Sequence, residues 1–193
     1  KGGTISFLGA GFKEQISVVD MQIKAVAETK PNDPNKDLQI ALCLGIQDFF
    51  LKNKIKQAVL GISGGIDSAV VAVLASLALG AEKVTAIAMP SRYTDLHSTS
   101  SAEQLCQNLG VNFITHPLES LHQAAEYDLS ALLNAGNGAE NIQARLRAII
   151  LMAYVNRYGG LLLNTSNKTE LSLGYGTAYG DLTGTLSPIG DLT

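Results

Sequence analysis

Charge, cysteine and membrane-length apolar stretches are all scarce in this chain of 193 residues. Lys and Arg number 14 against 17 Asp and Glu, and the formal net charge of -3 gives no support for a nucleic-acid surface. The longest apolar run, Ala69 to Leu79, is too short to span a bilayer. No signal-peptide pattern opens the chain. The two cysteines, Cys43 and Cys106, sit in helix-like apolar patterns without metal-ligand spacing, so buried free thiols and a reducing cytoplasm are expected. His97, His116 and His122 also lack zinc-like spacing and read as surface or capping residues. Internal repeats, heptads and low-complexity tracts are missing. Apolar residues make up 46% and charged residues 16%, the composition of a soluble globular chain with one sizeable core.

What is present is a short polar loop between two apolar runs. Ala58-Val59-Leu60-Gly61-Ile62 reads as a strand, and Ala69 to Ala75 as the body of a helix. Between them lies Ser63-Gly64-Gly65-Ile66-Asp67-Ser68. Such a turn aims backbone N–H groups and a helix N-terminus at one spot, which suits a phosphate chain. The glycines permit close approach of the main chain, and Ser63 and Ser68 add hydroxyls. Asp67 stands where the common P-loop has its lysine. A carboxylate beside phosphates repels them unless a divalent cation intervenes, so the loop implies magnesium together with a nucleotide. A plain strand-to-helix turn capped by Ser68 or Asp67 is the alternative reading.

Strands and helices alternate along the rest of the chain. A turn-rich linker is expected at Pro31 to Lys36, then a helix over Asp37 to Lys52 and a strand over Ala58 to Ile62. The spacing predicts further helices at Ser68 to Leu79, Ser98 to Leu109, weakly at Glu119 to Leu133, and at Glu140 to Tyr158. The last of these carries an apolar stripe of Ile142, Leu146, Ile149, Ile150 and Ala153, after a flexible break at Asn134 to Gly138. Strands are expected at Val84 to Met89, Val111 to Thr115 and Leu161 to Asn164. The alternation implies an α/β fold, a mostly parallel sheet in a three-layer α/β/α sandwich. Ligands in such sheets gather at the carboxyl ends of strands. The segments Ser63 to Ser68, Pro90 to His97 and Thr165 to Glu170 are therefore expected to converge.

Asn164-Thr165-Ser166-Asn167-Lys168-Thr169-Glu170 places Thr165 to hydrogen-bond a nucleotide and Glu170 to join Asp67 as a second oxygen ligand or to orient a substrate hydroxyl. The same residues also fit a helix entry with Glu170 in a capping box on Asn167. Asn141 and Arg145, four residues apart, share one helix face suited to a carboxylate, phosphate or amide-bearing ligand, or to a surface ion pair. Arg147 points elsewhere and reads as a solvated charge. Arg92, just after a strand and Pro90, is a candidate to neutralise phosphate charge. The glycine-rich segments Gly174 to Asp181 and Ser187 to Thr193 read as lid or binding loops.

Ser63 to Ser68 resembles the pyrophosphate-binding signature of the N-type ATP pyrophosphatases. Adding Met89-Pro90-Ser91-Arg92-Tyr93, Glu140 to Arg147, Asn164 to Glu170, Tyr179-Gly180-Asp181 and Ser187 to Thr193, the chain from about Asp37 onward is similar to the NAD synthetases within that group. The resemblance implies an adenine-nucleotide alpha-hydrolase-like fold. It implies ATP contacts from Gly61, Ile62, Ser63, Gly64, Gly65, Ile66, Asp67, Ser68 and Thr165, and Mg2+ at Asp67 and Glu170. Contacts to deamido-NAD are implied at Asn141, Arg145 and Glu170. Asp67, Ser63 and Arg92 are the expected catalytic residues, and a homodimer or higher homo-oligomer is expected.

The reaction so implied is amidation of deamido-NAD through an acyl-adenylate, releasing AMP and pyrophosphate. Residues 141–147 and 175–181 look more like the glutamine-dependent, two-domain form, while the ammonia-using form stays open. Residues 1–36 are then expected to be the tail of, or link from, an amidase-like domain, with a synthetase domain over 37–193 that is incomplete at its C-terminus. A GMP-synthetase-like or tRNA-modifying relative, and a non-catalytic nucleotide-binding domain, remain alternatives.

Overall fold

The computed structural model describes residues 5, 7–20, 33–133 and 137–193. The readings for residues 1–4, 6, 21–32 and 134–136, including part of the expected linker and of the break at 134–138, lie outside the described residues. Four strands form one wholly parallel sheet in the order β3-β2-β1-β4: β1 (Ala58–Gly61), β2 (Val84–Ala88), β3 (Asn112–Thr115) and β4 (Leu161–Leu162). The helices are α1 (Pro34–Lys52), α2 (Ile66–Leu79), α3 (Leu96–Leu109), α4 (Glu119–Asp128), α5 (Ser130–Leu133), α6 (Gly138–Tyr158) and α7 (Lys168–Leu173).

Alternation along the strands creates the two covered faces. Ala58, Leu60, Val84, Ala86 and Ala88 point into a core shared with Val71, Ala72, Ala75 and Cys106 of α2 and α3, backed by Ile46 and Phe50 of α1. Val59, Ile87 and Leu162 point the other way, against Leu118 and the α6 residues Leu146, Ile150 and Leu151. Side chains two apart share a face, so two layers of helix follow from one pleat. Gly80, at φ 96, stops α2, and Gly110, at φ 73, stops α3.

From β1 the chain winds outward through β2 to β3, then crosses back by α4, α5 and α6 to lay β4 on the far side of β1. The winding reverses at β1, and a crevice opens at its carboxyl end. This puts the 63–68 loop at the switch point.

Several boundaries differ from expectation. Helix α1 begins at Pro34 inside the expected linker, because Asp33 caps it by accepting the Asn35 and Lys36 amides and proline suits the first helical turn. The 119–133 helix breaks at Leu129. Strand β4 is only two residues long, although Leu163 continues it by bridging Leu186. On α6, Ile149 and Ala153 are exposed; Leu151, Tyr154 and Val155 complete the inward stripe instead. His122 is 1% exposed, not on the surface, with Nε2 3.5 Å from Glu126. Cys43 and Cys106 are free, and burial pushes both thiols above their usual range, away from thiolate chemistry.

Candidate active site

A cavity of about 340 Å³ opens at the carboxyl ends of β1, β2 and β4. The loops after those strands supply Ser63 and Ser68, Pro90 and Thr94, and Thr165 to its wall, so the three polar segments do converge. Gly61 and Ile62 complete the β1 side.

The 63–68 loop is held open by its own side chains. Ser68 Oγ accepts the Ser63 amide at 3.3 Å and donates to the Gly65 carbonyl at 3.1 Å, while Ser63 Oγ accepts the Gly65 amide at 3.2 Å. Gly64 lies at φ 87, and a Cβ there would fall 2.2 Å from the Ser98 carbonyl oxygen, so only glycine fits against α3. Gly65 is the N-cap of α2 and offers no side-chain cap; neither Ser68 nor Asp67 fills that role. The amides of Gly64, Ile66, Asp67 and Ser68 find no acceptor among the described residues. Uncapped, converging N–H groups at the positive end of a helix make an anion site.

Asp67 is tied to the third loop. Its Oδ1 accepts Asn167 Nδ2 at 3.1 Å. Asn167 in turn caps α7: its side chain accepts the Glu170 amide at 2.9 Å, and Glu170 Oε2 accepts the Asn167 amide at 3.0 Å. The capping box thus also links Asp67 to α7, with Asn167 bonded to both carboxylates. One oxygen of each carboxylate stays unbonded among the described residues.

Other expected residues are placed differently. Arg92 leaves the cavity wall and clamps two carboxylates of α4, Glu119 at 2.8 Å and Glu126 at 3.1 Å. Asn141 Oδ1 accepts Thr177 Oγ1 at 2.9 Å, and Arg145 Nε donates to the Ala178 carbonyl at 3.2 Å. Neither lines the cavity; both strap the 177–183 segment onto α6, where a Cβ on Gly180 would meet that of Ala144 at 2.9 Å. The strap is fastened on its other side by Asn164 Nδ2, which donates to the carbonyls of Asp181 and Thr183.

Arg147 is not a solvated charge. It lines the cavity with Ala144, Ala148 and Leu151, and Nε donates to the Met89 carbonyl at 3.5 Å. Burial pushes its guanidinium below the usual range, and Asp181 acts in the opposite sense. Positions 144, 147, 148 and 151 share one helix face. Two small alanines flanking an arginine on that face were the available signal. The strap residues Gly180, Asp181 and Thr183 complete the wall.

These features define a parallel α/β domain with a glycine-bearing, uncapped helix entry at its topological switch point. The chain belongs to the NAD synthase family: the family model matches residues 38–193. It is 40% identical over 202 residues to a glutamine-dependent NAD(+) synthetase of Rhodobacter capsulatus, covering 98% of this chain and 36% of that one. Among solved structures, the glutamine-dependent NAD+ synthetase of Acinetobacter baumannii, in complex with ADP, superposes at a TM-score of 0.83 with 34% identity over 87% of this chain and 32% of that one. An NH3-dependent NAD synthetase of Campylobacter jejuni gives a TM-score of 0.75 and 35% identity over 82% of this chain and 68% of its own. The chain thus spans about a third of the length of the curated relatives it matches. No helix among the described residues is long and apolar enough to cross a membrane.

Proposed function

We propose that this chain is the ATP-dependent amidating domain of a glutamine-dependent NAD synthetase, a ligase forming a C–N bond. The observation that carries the reading is the Asp67–Asn167–Glu170 linkage, which ties two carboxylates through Asn167 to the uncapped entry of α2. A carboxylate is a poor electrophile, so the nicotinate carboxyl of deamido-NAD first attacks the α-phosphate of ATP and pyrophosphate leaves. Ammonia then displaces AMP.

In this scheme the free amides of the 63–68 loop and the hydroxyls of Ser63 and Ser68 hold the departing diphosphate, and Thr165 fixes the nucleotide from the β4 side. Asp67 and Glu170 fit a magnesium ion, which favours one or two carboxylates together with waters and phosphate oxygens. When bound, it supplies neutralisation of the diphosphate charge. Asn141 and Arg145 take deamido-NAD once they exchange Thr177 and Ala178 for it. Arg92 lies outside the cavity, and a role as charge neutraliser would require it to leave Glu119 and Glu126. Positioning and charge carry the reaction, without a covalent nucleophile.

The reading extends to a cytoplasmic homodimer or higher homo-oligomer, with residues 1–36 leading from an amidase-like domain that releases ammonia from glutamine. The test is incubation of the full-length protein with ATP, magnesium and deamido-NAD, adding ammonia or glutamine in turn. NAD, AMP and pyrophosphate are the expected products. AMP release onto another acceptor points to a different adenylating ligase; nucleotide binding without pyrophosphate release marks a non-catalytic domain.

A further inference from the structure

A guanidinium in a partly apolar wall is costly unless its N–H groups find acceptors. Arg147 has one long bond, from Nε to the Met89 carbonyl, and neither Nη has a partner among the described residues. It is the sole cation among the residues that line the cavity, and Asp181 the sole anion, yet the two form no ion pair. Asp181 is engaged by the strap, where its Oδ1 accepts the Thr177 amide. Of the other arginines, Arg92 is held by Glu119 and Glu126, and Arg145, with its single Nε bond to the Ala178 carbonyl, does not line the cavity. Across the same cavity stand Ser63, Ser68 and Thr165. A charge held at such expense, in a cavity also lined by the hydroxyl residues Ser63, Ser68 and Thr165, is completed by something that enters.

We propose that Arg147 is a nucleotide-binding residue whose Nη groups receive an anionic phosphate oxygen, opposing the α2 amides from the α6 wall. The assignment rests on the adenylating reading above. A planar fork matches phosphate geometry better than a point charge, which explains an arginine here.

The test titrates ADP with magnesium into full-length wild type, Arg147→Met and Arg147→Lys, and records melting of each without nucleotide. Arg147→Met, similar in length but neutral, is expected to bind ADP roughly 10- to 100-fold more weakly. Its melting temperature should equal or exceed that of wild type, since an unpaired charge is removed. Arg147→Lys should recover part of the affinity. Unchanged ADP affinity in Arg147→Met overturns the assignment. So does a lowered melting temperature with an affinity loss that lysine fails to rescue, which marks a structural residue. A loss confined to deamido-NAD titrations, with ADP unaffected, overturns it too and gives the guanidinium to a carboxylate. If wild type itself fails to bind ADP, the adenylating reading falls first and Arg147 with it.

Discussion

Two helices begin beside each other at the carboxyl ends of adjacent parallel strands, and their entries are built in opposite ways. Helix α2 starts at Gly65 with no side-chain cap and several amides unused. Helix α7 starts at Asn167 with both halves of a capping box made. A helix whose own side chains satisfy its first turn has nothing left for a ligand; one with glycine at its cap gives up only about a few tenths of a kcal/mol and leaves its first amides open to an anion. The closed entry serves the open one, because Asn167 Nδ2 reaches across to Asp67. In the proposed reading, binding and fastening are thus divided between two loops that each follow a strand and open a helix.

The largest effect is expected from Asp67→Asn. The amide keeps the shape of the carboxylate but not its charge, so the melting temperature should stay close to wild type while pyrophosphate release falls roughly 100- to 1000-fold. Retained release, measured in a coupled pyrophosphate assay on the full-length protein, would remove Asp67 from the chemistry. Next comes Gly65→Asp, which converts the open entry into a closed one. The new carboxylate can accept the Asp67 and Ser68 amides and puts negative charge where phosphate belongs. ADP affinity should fall roughly 100-fold with unchanged or slightly higher thermal stability. If both drop together, the loop is merely misfolded and the contrast fails.

The closed entry allows capping to be separated from ligation. Glutamine serves the reciprocal position of a capping box as glutamate does, so Glu170→Gln should melt like wild type yet need more magnesium for half-maximal activity. Asn167→Ala removes the cap and the Asp67 contact together, and should cost about 1 kcal/mol in denaturant unfolding. Equal magnesium requirements in wild type and Glu170→Gln would leave Glu170 as a cap alone.

The layers and the three converging loops were legible because they rest on local signals: period-2 strands, glycines at helix ends, polar residues after apolar runs. The direction of individual side chains was not. Arg92 follows a strand as the phosphate reading requires, but Glu119 and Glu126 on a later helix draw it away from the cavity. Arg145 and Arg147 are two residues apart and so face different ways. Which one meets the cavity depends on where the 177–183 strap lies, and nothing near α6 in sequence specifies that. His122 is buried for a similar reason, since Tyr93, whose ring stands edge-on to it, comes from a loop far away in sequence.

The Arg92 clamp, outside the cavity, is the control for this division of labour and gives the smallest effect. The hydrogen bond from Arg92 holds the Glu119 carboxyl below its usual range, assisted by Gln123 and opposed by burial. A carboxyl depressed in the folded state contributes stability above its unfolded value of about 4.3, lost as pH falls through the lower folded value. The pair is largely solvated, so the contribution is small. Glu119→Gln should therefore melt slightly below wild type at neutral pH, and the gap should close as the acid range is entered. ADP affinity should not change at any pH, since Arg92 does not line the cavity. If freeing Arg92 from Glu119 instead speeds pyrophosphate release, the arginine swings inward during turnover, and the boundary between the binding loop and its surroundings must be redrawn to include it.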